Sequence, residues 1–286
     1  MKTSVSSYSF AQYVSSGKMT QLDCVKKAKE LGFDGIEFTN IIAPDGMDQK
    51  SAAERIRDAA DKSGIEINAY TISANLYQDT DEKSDAEVER LKGQLDIAKI
   101  LGAKVMRHDV CYKLGTEGTS RSFDLMLPTI AGNARRVTEY AETLGIKTCT
   151  ENHGYIAQDS YRVEKLFNAV AHDNYGLLVD VGNFLCVDED PITAVSRVAP
   201  YAFHAHVKDF KFSKTPFEKG GLMTRGANYL IGCTVGDGIV PVKQCLSILK
   251  RAGYDGYVSL EYEGIEDCML GISRGLENIK TYLLEI

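Results

Sequence analysis

The sequence predicts a single (β/α)8 barrel spanning residues 1–286. Three observations point there: a recurring helix–glycine–strand phrase, eight separable β-rich runs, and no glycine-rich phosphate turn after the first strand. The phrase pairs Leu31-Gly32 with the strand FDGIEFT and Ser63-Gly64 with IEINAYTIS. It returns at Leu101-Gly102, Leu144-Gly145 and Ala252-Gly253. A glycine just past a helix end closes the helix in the left-handed conformation, and a strand that follows at once implies alternating α and β. Such alternation is compatible with an open doubly wound sheet, but that fold calls for a glycine-rich turn after strand one. Here the first strand runs into SFAQYVSSG instead.

The predicted strands, in order, are 3–9, 35–39, 66–72, 104–108, 147–152, 176–181, 202–208 and 256–262. Helices are expected to start near Thr20, Asp48, Ser84, Ser122 and Ser160, where Ser, Thr or Asp can cap free amides. Another starts at Asp190-Pro191, and a final one covers 267–285. Residues 211–238 show no clear periodicity and read as an active-site lid. With 44% hydrophobic residues the chain can fill a full core.

Charge and cysteine usage exclude several classes. A formal charge of −7 and no Lys/Arg block argue against nucleic acid as a partner. The seven cysteines are scattered, odd in number and free of any Cys-x-x-Cys pair, so a reducing, cytoplasmic setting is expected. The polar N-terminus lacks the apolar segment of a signal peptide, and no run is long enough to span a membrane. The expected partners are a small molecule and other copies of the chain.

In a (β/α)8 barrel, catalytic groups sit where the strands end at the C-terminal face. The fifth strand carries Glu151 near its end, the sixth carries Asp180, the seventh His204 and His206, and the eighth Glu261 with Glu263 just beyond it. A buried carboxylate is costly unless paired or bound to a cation. One such acid reads as a structural ion pair. Three acids and an imidazole on four consecutive strands read as mixed O/N ligands for Mn²⁺, Zn²⁺, Co²⁺ or Mg²⁺. His204 and His206 share a face, and His206 lies nearer the strand end. Glu263 competes with Glu261 but lies further out. His153 shares the parity of Glu151 and is placed near substrate, a plain loop histidine being the alternative. By position, Tyr70 and His108 are candidate substrate contacts. Lys208 and Arg225 are candidates to hold a phosphate or carboxylate, or simply surface pairs.

These residues carry a resemblance. GFDGIEF (32–38), ENHG (151–154), HAHVKD (204–209), GDG (236–238) and AGYDGYVSLEYEG (252–264) are similar to the sugar phosphate isomerase/epimerase family. Those are xylose-isomerase-like TIM barrels that include ketose 3-epimerases and inositol-pathway enzymes. The resemblance implies one divalent metal, Mn²⁺ or Zn²⁺ foremost, held by Glu151, Asp180, His206 and Glu261. It also implies that Glu151 and Glu261 act as acid and base on opposite faces of a carbohydrate. Many members carry His three residues after the metal Asp, where this chain has Asn183 at the substrate-contacting position. The family's loop arginine is matched to Arg225.

The expected reaction is isomerisation or epimerisation of a ketose, keto-sugar or sugar phosphate, by proton abstraction beside a carbonyl. A lyase or dehydratase on the same barrel starts with the same step and is the alternative. An abasic-site endonuclease needs more histidines than the five present and a basic groove. A non-catalytic sugar-binding barrel does not need the acids.

Overall fold

The computed structural model describes residues 1–114 and 118–286. Seven strands lead the barrel: β1 Lys2–Ser6, β2 Gly35–Thr39, β3 Glu66–Ile72, β4 Val105–His108, β5 Lys147–Glu151, β6 Tyr175–Asp180 and β7 Ala202–Val207. Three more, β8 Asp209–Ser213, β9 Leu222–Met223 and β10 Tyr229–Cys233, form a separate sheet, and β11 Tyr257–Leu260 returns to the barrel. The closed order is β1-β11-β7-β6-β5-β4-β3-β2, every pairing parallel. The (β/α)8 expectation is therefore met, with β11 as the eighth barrel strand. Parallel strands covered on both faces explain the apolar runs: β6 is buried throughout and β2 is buried up to its last residue, Thr39.

The helices follow from their caps. Helix α1 is Ala11–Ser15, α2 Gln21–Leu31, α3 Gln49–Ser63, α4 Asp81–Leu101, α5 Phe123–Thr143, α6 Ser160–Val170, α7 Pro191–Val198, α8 Val242–Arg251 and α9 Cys268–Glu285. Thr20 and Asp23 make a reciprocal capping box, and Asp48 and Asp190 accept from the amides of Ser51 and Thr193. The fourth helix begins earlier than its Ser84: Thr80 is the cap, because its hydroxyl accepts from the Lys83 amide. Asp159 rather than Ser160 caps α6, and the Ser122 side chain makes no capping bond. Strand β1 stops at Ser6, and a 3₁₀ turn over Ser7–Phe10 replaces its expected end.

Residues 211–238 depart most from expectation. Instead of an irregular lid they carry an antiparallel sheet in the order β8-β10-β9. Asp209 nucleates its base, since its carboxylate accepts from the amides of Phe210, Gly236, Gly238 and Val240, each at 2.9 Å. The tip is fastened to the barrel rim. Asp188 accepts from the Thr224 hydroxyl, the Gly226 amide and the Asn228 amide group. Arg225 donates to Asp159 at 2.9 Å and to the Tyr155 carbonyl. Among the described residues no helix is long and apolar enough to cross a membrane.

Gly64 ends α3 at φ 63°, and a Cβ there would meet only the far end of Lys29 at 4.0 Å. The cost of Gly64→Ala is then purely conformational, about 1 kcal/mol. Urea unfolding should show that loss while metal uptake stays at the wild-type level.

Candidate metal centre

Strand ends β5, β6, β7 and β11 bring Glu151, Asp180, His206 and Glu261 together, with one donor atom from each inside a 4.8 Å group. Asp180 closes an apolar strand, and its Oδ1 is fixed by the amides of Gly182 (2.8 Å) and Asn183 (3.0 Å). Its Oδ2 is met by the Lys208 ammonium at 3.2 Å, and the buried His206 Nδ1 has no hydrogen-bond partner. His206 Nδ1 stands 3.9 Å from Glu151 Oε1, 3.9 Å from Asp180 Oδ2 and 3.8 Å from Glu261 Oε2. Those separations are too long for hydrogen bonds. They suit donors that share one cation, since ligands ~2.0–2.2 Å from an ion lie roughly 3–4 Å apart. The donor set and the unpartnered His206 Nδ1 fit a divalent metal.

His206 is aimed by a residue that the sequence reading passed over. Glu37, on β2 across the barrel, is fully buried, and His206 Nε2 lies 2.8 Å from its Oε1. His204 Nε2 lies 2.6 Å from Oε2 of the same carboxylate. With Nε2–H donating to Glu37, the His206 lone pair is left on Nδ1, facing the acids. His204 belongs to this deeper layer and is no part of the four-residue cluster. Burial opposes ionisation of Glu37, but His206 and His204 outweigh it and hold the carboxyl far below its ordinary range. In the metal-free protein His206 is raised well above the usual imidazole value; burial works against this, and Glu37 and Glu261 overcome it.

Two further cations are threaded among the acids. Lys208, only 3% exposed, is paired with Glu261, with Asp180 at 3.2 Å and with Glu263 at 3.3 Å. Burial pushes the Glu261 carboxyl up, but Lys208 and His206 bring it well below its usual value. Glu263 is raised, chiefly by burial. Arg107, from β4, pairs with Glu151 and lies 3.4 Å from Asp109. Asp109 in turn accepts from His153 Nδ1 at 3.0 Å. The Asn183 amide donates to Glu151 Oε1 at 2.8 Å.

Above the cluster opens a cavity of about 270 Å³, lined by Arg107, Asp109, Glu151, His153, Lys208, Glu261 and Glu263 on one side. The structure thus gathers His153, Asn183 and Lys208 around the four ligand candidates. It keeps three other candidates away. Tyr70 lies against the helices, its hydroxyl donating to Gln94 of α4 at 2.6 Å. A one-residue bulge in β3, where Ile36 pairs with Ile67 but Glu37 pairs with Ala69, shifts the alternation, and Thr71 lines the cavity instead. His108 is fully buried near the Tyr175 ring, because strand alternation turns its neighbour Arg107 inward. Arg225 is held on the outer rim by Asp159 and lies outside the cavity lining.

Residues 25–282 match the family described as xylose isomerase-like TIM barrel. An inosose dehydratase of Lacticaseibacillus casei is 27% identical over 137 residues, 47% of this chain and 46% of that protein. The chain therefore spans about half the length of that relative. The rhizopine catabolism protein MocC of Rhizobium meliloti is 26% identical over 252 residues, 84% of this chain and 74% of that protein. The solved D-psicose 3-epimerase of Clostridium cellulolyticum H10 superposes with a TM-score of 0.78 over 99% of both chains, at 15% identity, which is a likeness of fold.

Elemental analysis should find about one equivalent of divalent metal, lost in an Asp180→Ala, His206→Ala double variant. Metal uptake must displace the proton that raised-pKa His206 carries, so affinity should tighten as pH climbs from about 6 to 8; a flat profile would contradict the assignment. Glu37→Ala should weaken binding roughly 10–100-fold in a chelator competition, with Glu37→Gln recovering part of it.

Proposed function

The chain belongs to the xylose isomerase-like TIM barrel family, and we propose that it is a divalent-metal-dependent isomerase or epimerase of a small keto-sugar. The observation that carries this reading is the pair Glu151 and Glu261, with two strands between them in the barrel order, flanking the unpartnered His206 Nδ1. When bound, a divalent cation, Mn²⁺ or Zn²⁺ foremost, supplies Lewis-acid polarisation of a carbonyl and so acidifies the neighbouring C–H. The rest is the work of this chain's side chains. Arg107 and Asn183 donate to the two oxygens of Glu151 and fix its orientation. Lys208 keeps Glu261 ionised as a base at neutral pH. A proton taken by one glutamate and returned by the other from the opposite face inverts the carbon. Return by the same glutamate to the adjacent carbon interconverts aldose and ketose. A cytoplasmic setting and self-association belong to the same reading, as does the chain acting as one barrel domain. The cysteines support the setting: all seven are free and buried.

One observation favours a second reading, dehydration. His153 is oriented through Nδ1 by Asp109 and lines the cavity beside Glu151. Elimination needs a base for the C–H and an acid for the departing hydroxyl. A glutamate would remove the proton, the electron pair would form the C=C bond, and His153 would protonate the leaving oxygen as water.

Metal-loaded protein, incubated in D₂O with free ketoses and cyclic polyol ketones, distinguishes the two. Deuterium beside the carbonyl in an isomer of unchanged composition supports epimerisation or isomerisation, and loss of one water supports dehydration. Glu151→Gln and Glu261→Gln should each lower turnover by roughly 10²–10⁴-fold; full activity in either would remove that residue from the mechanism.

A further inference from the structure

We propose that the cavity is built for an uncharged, polyhydroxylated ketone of monosaccharide size and rejects the phosphorylated or carboxylated forms of the same sugars. This rests on the keto-sugar reading above and narrows it. Every cation lining the cavity is already engaged. Arg107 serves Glu151 and Asp109, Lys208 serves Asp180, Glu261 and Glu263, and His153 serves Asp109. Five carboxylates thus face two permanent cations, and a divalent ion added to the four-residue cluster still leaves negative charge in surplus. A phosphate or carboxylate group would enlarge that surplus in a water-poor site. Pulling Lys208 or Arg107 toward it would strand the acids they now neutralise. Two further cations, Arg90 and Arg225, are committed as well: Arg90 grips Glu87 at 2.7 and 2.8 Å, and Arg225 grips Asp159 at 2.9 Å. The lysine and arginine that sequence alone offered for a phosphate are therefore both occupied.

The facing wall carries the complementary chemistry. Tyr8, Thr39, Asn40, Thr71 and Ser73, from β1, β2, β3 and the turns after them, complete the lining. All five are neutral, and each both donates and accepts hydrogen bonds, as adjacent hydroxyls of a polyol require. The size agrees: about 270 Å³ falls just below the ~300–1,000 Å³ of sites for drug-sized ligands.

The test uses the full chain loaded with Mn²⁺, occupancy checked by electron paramagnetic resonance, and reads paramagnetic broadening of ligand nuclei. The probes are free ketopentoses, ketohexoses and cyclic polyol ketones, against D-fructose 1-phosphate, D-fructose 6-phosphate, a keto-gluconate and inorganic phosphate. Broadening of a neutral ketone at concentrations about a hundredfold below any charged probe supports the proposal. A charged probe that binds as tightly as the neutral ones overturns it and leaves the keto-sugar reading standing. Absence of broadening for every ketone, with Mn²⁺ bound, removes the keto-sugar reading and this inference together. Glu263→Gln takes away one negative charge and loosens Lys208, so it should strengthen sugar-phosphate binding about tenfold; an unchanged affinity would refute the electrostatic basis.

Discussion

Asp180 ends a strand of Tyr, Gly, Leu, Leu and Val and is fully buried. An ionised carboxylate in that position must be compensated, and much of the C-terminal mouth can be understood as that compensation. Two backbone amides hold one oxygen, and Lys208 and the His206 ring stand over the other. Each compensating group creates a further obligation. His206 needs Glu37 behind it, Glu37 takes His204 as a second partner, and Lys208 needs Glu261 and Glu263. The constraint thus spreads from β6 to β2 and β11, across the full width of the barrel. Burial pushes Asp180 toward its neutral form and Lys208 opposes this without overcoming it, so the acid cluster has room for more positive charge than the side chains supply.

The barrel and the four ligand candidates were legible because each rests on a local pattern. Glycine closures mark helix ends, and an acid at the close of an apolar strand stands out against its neighbours. Glu37 bears the same mark, an acid between Ile36 and Phe38, but it sits on an early strand where nothing local says that it faces a histidine 167 positions on. Arg107, His108 and Asp109 are adjacent and all polar, so the inward residue depends on a parity that one position decides. Tyr70 was lost to a bulge, an irregularity of pairing that a single strand's sequence does not carry. The β8–β10 sheet was obscured because its strands are short and interrupted by glycines and lysines. What fixes it is Asp209 gathering four amides, three of them from residues 236, 238 and 240 far along the chain.

The division of labour across the mouth follows from the order of strands around the ring. The second half of the chain, β5 to β11, contributes most of the charged groups lining the cavity, β4 and its following turn add Arg107 and Asp109, and β1 to β3 contribute the neutral hydroxyl and amide wall. Arg107 on β4 is the seam between them, reaching from the β3 carbonyl of Ile72 to Glu151. Change among the neutral lining residues of the early strands alters which hydroxyls are met, whereas Glu37 on β2 is tied to the metal centre through His206.

The fastening of the β9–β10 tip bears on how molecules travel. Asp188, Asp159 and the Tyr155 carbonyl pin that tip to the loops after β5 and β6, and Tyr155 itself donates to the Met223 carbonyl. The rim over those strands is strapped shut by contacts from side chain and backbone alike. The neutral wall of the cavity, with Tyr8, Asn40 and Ser73, stands on the side of the ring that this strap does not cover, so the strap holds the charged half of the mouth and leaves the hydroxyl-bearing half untied.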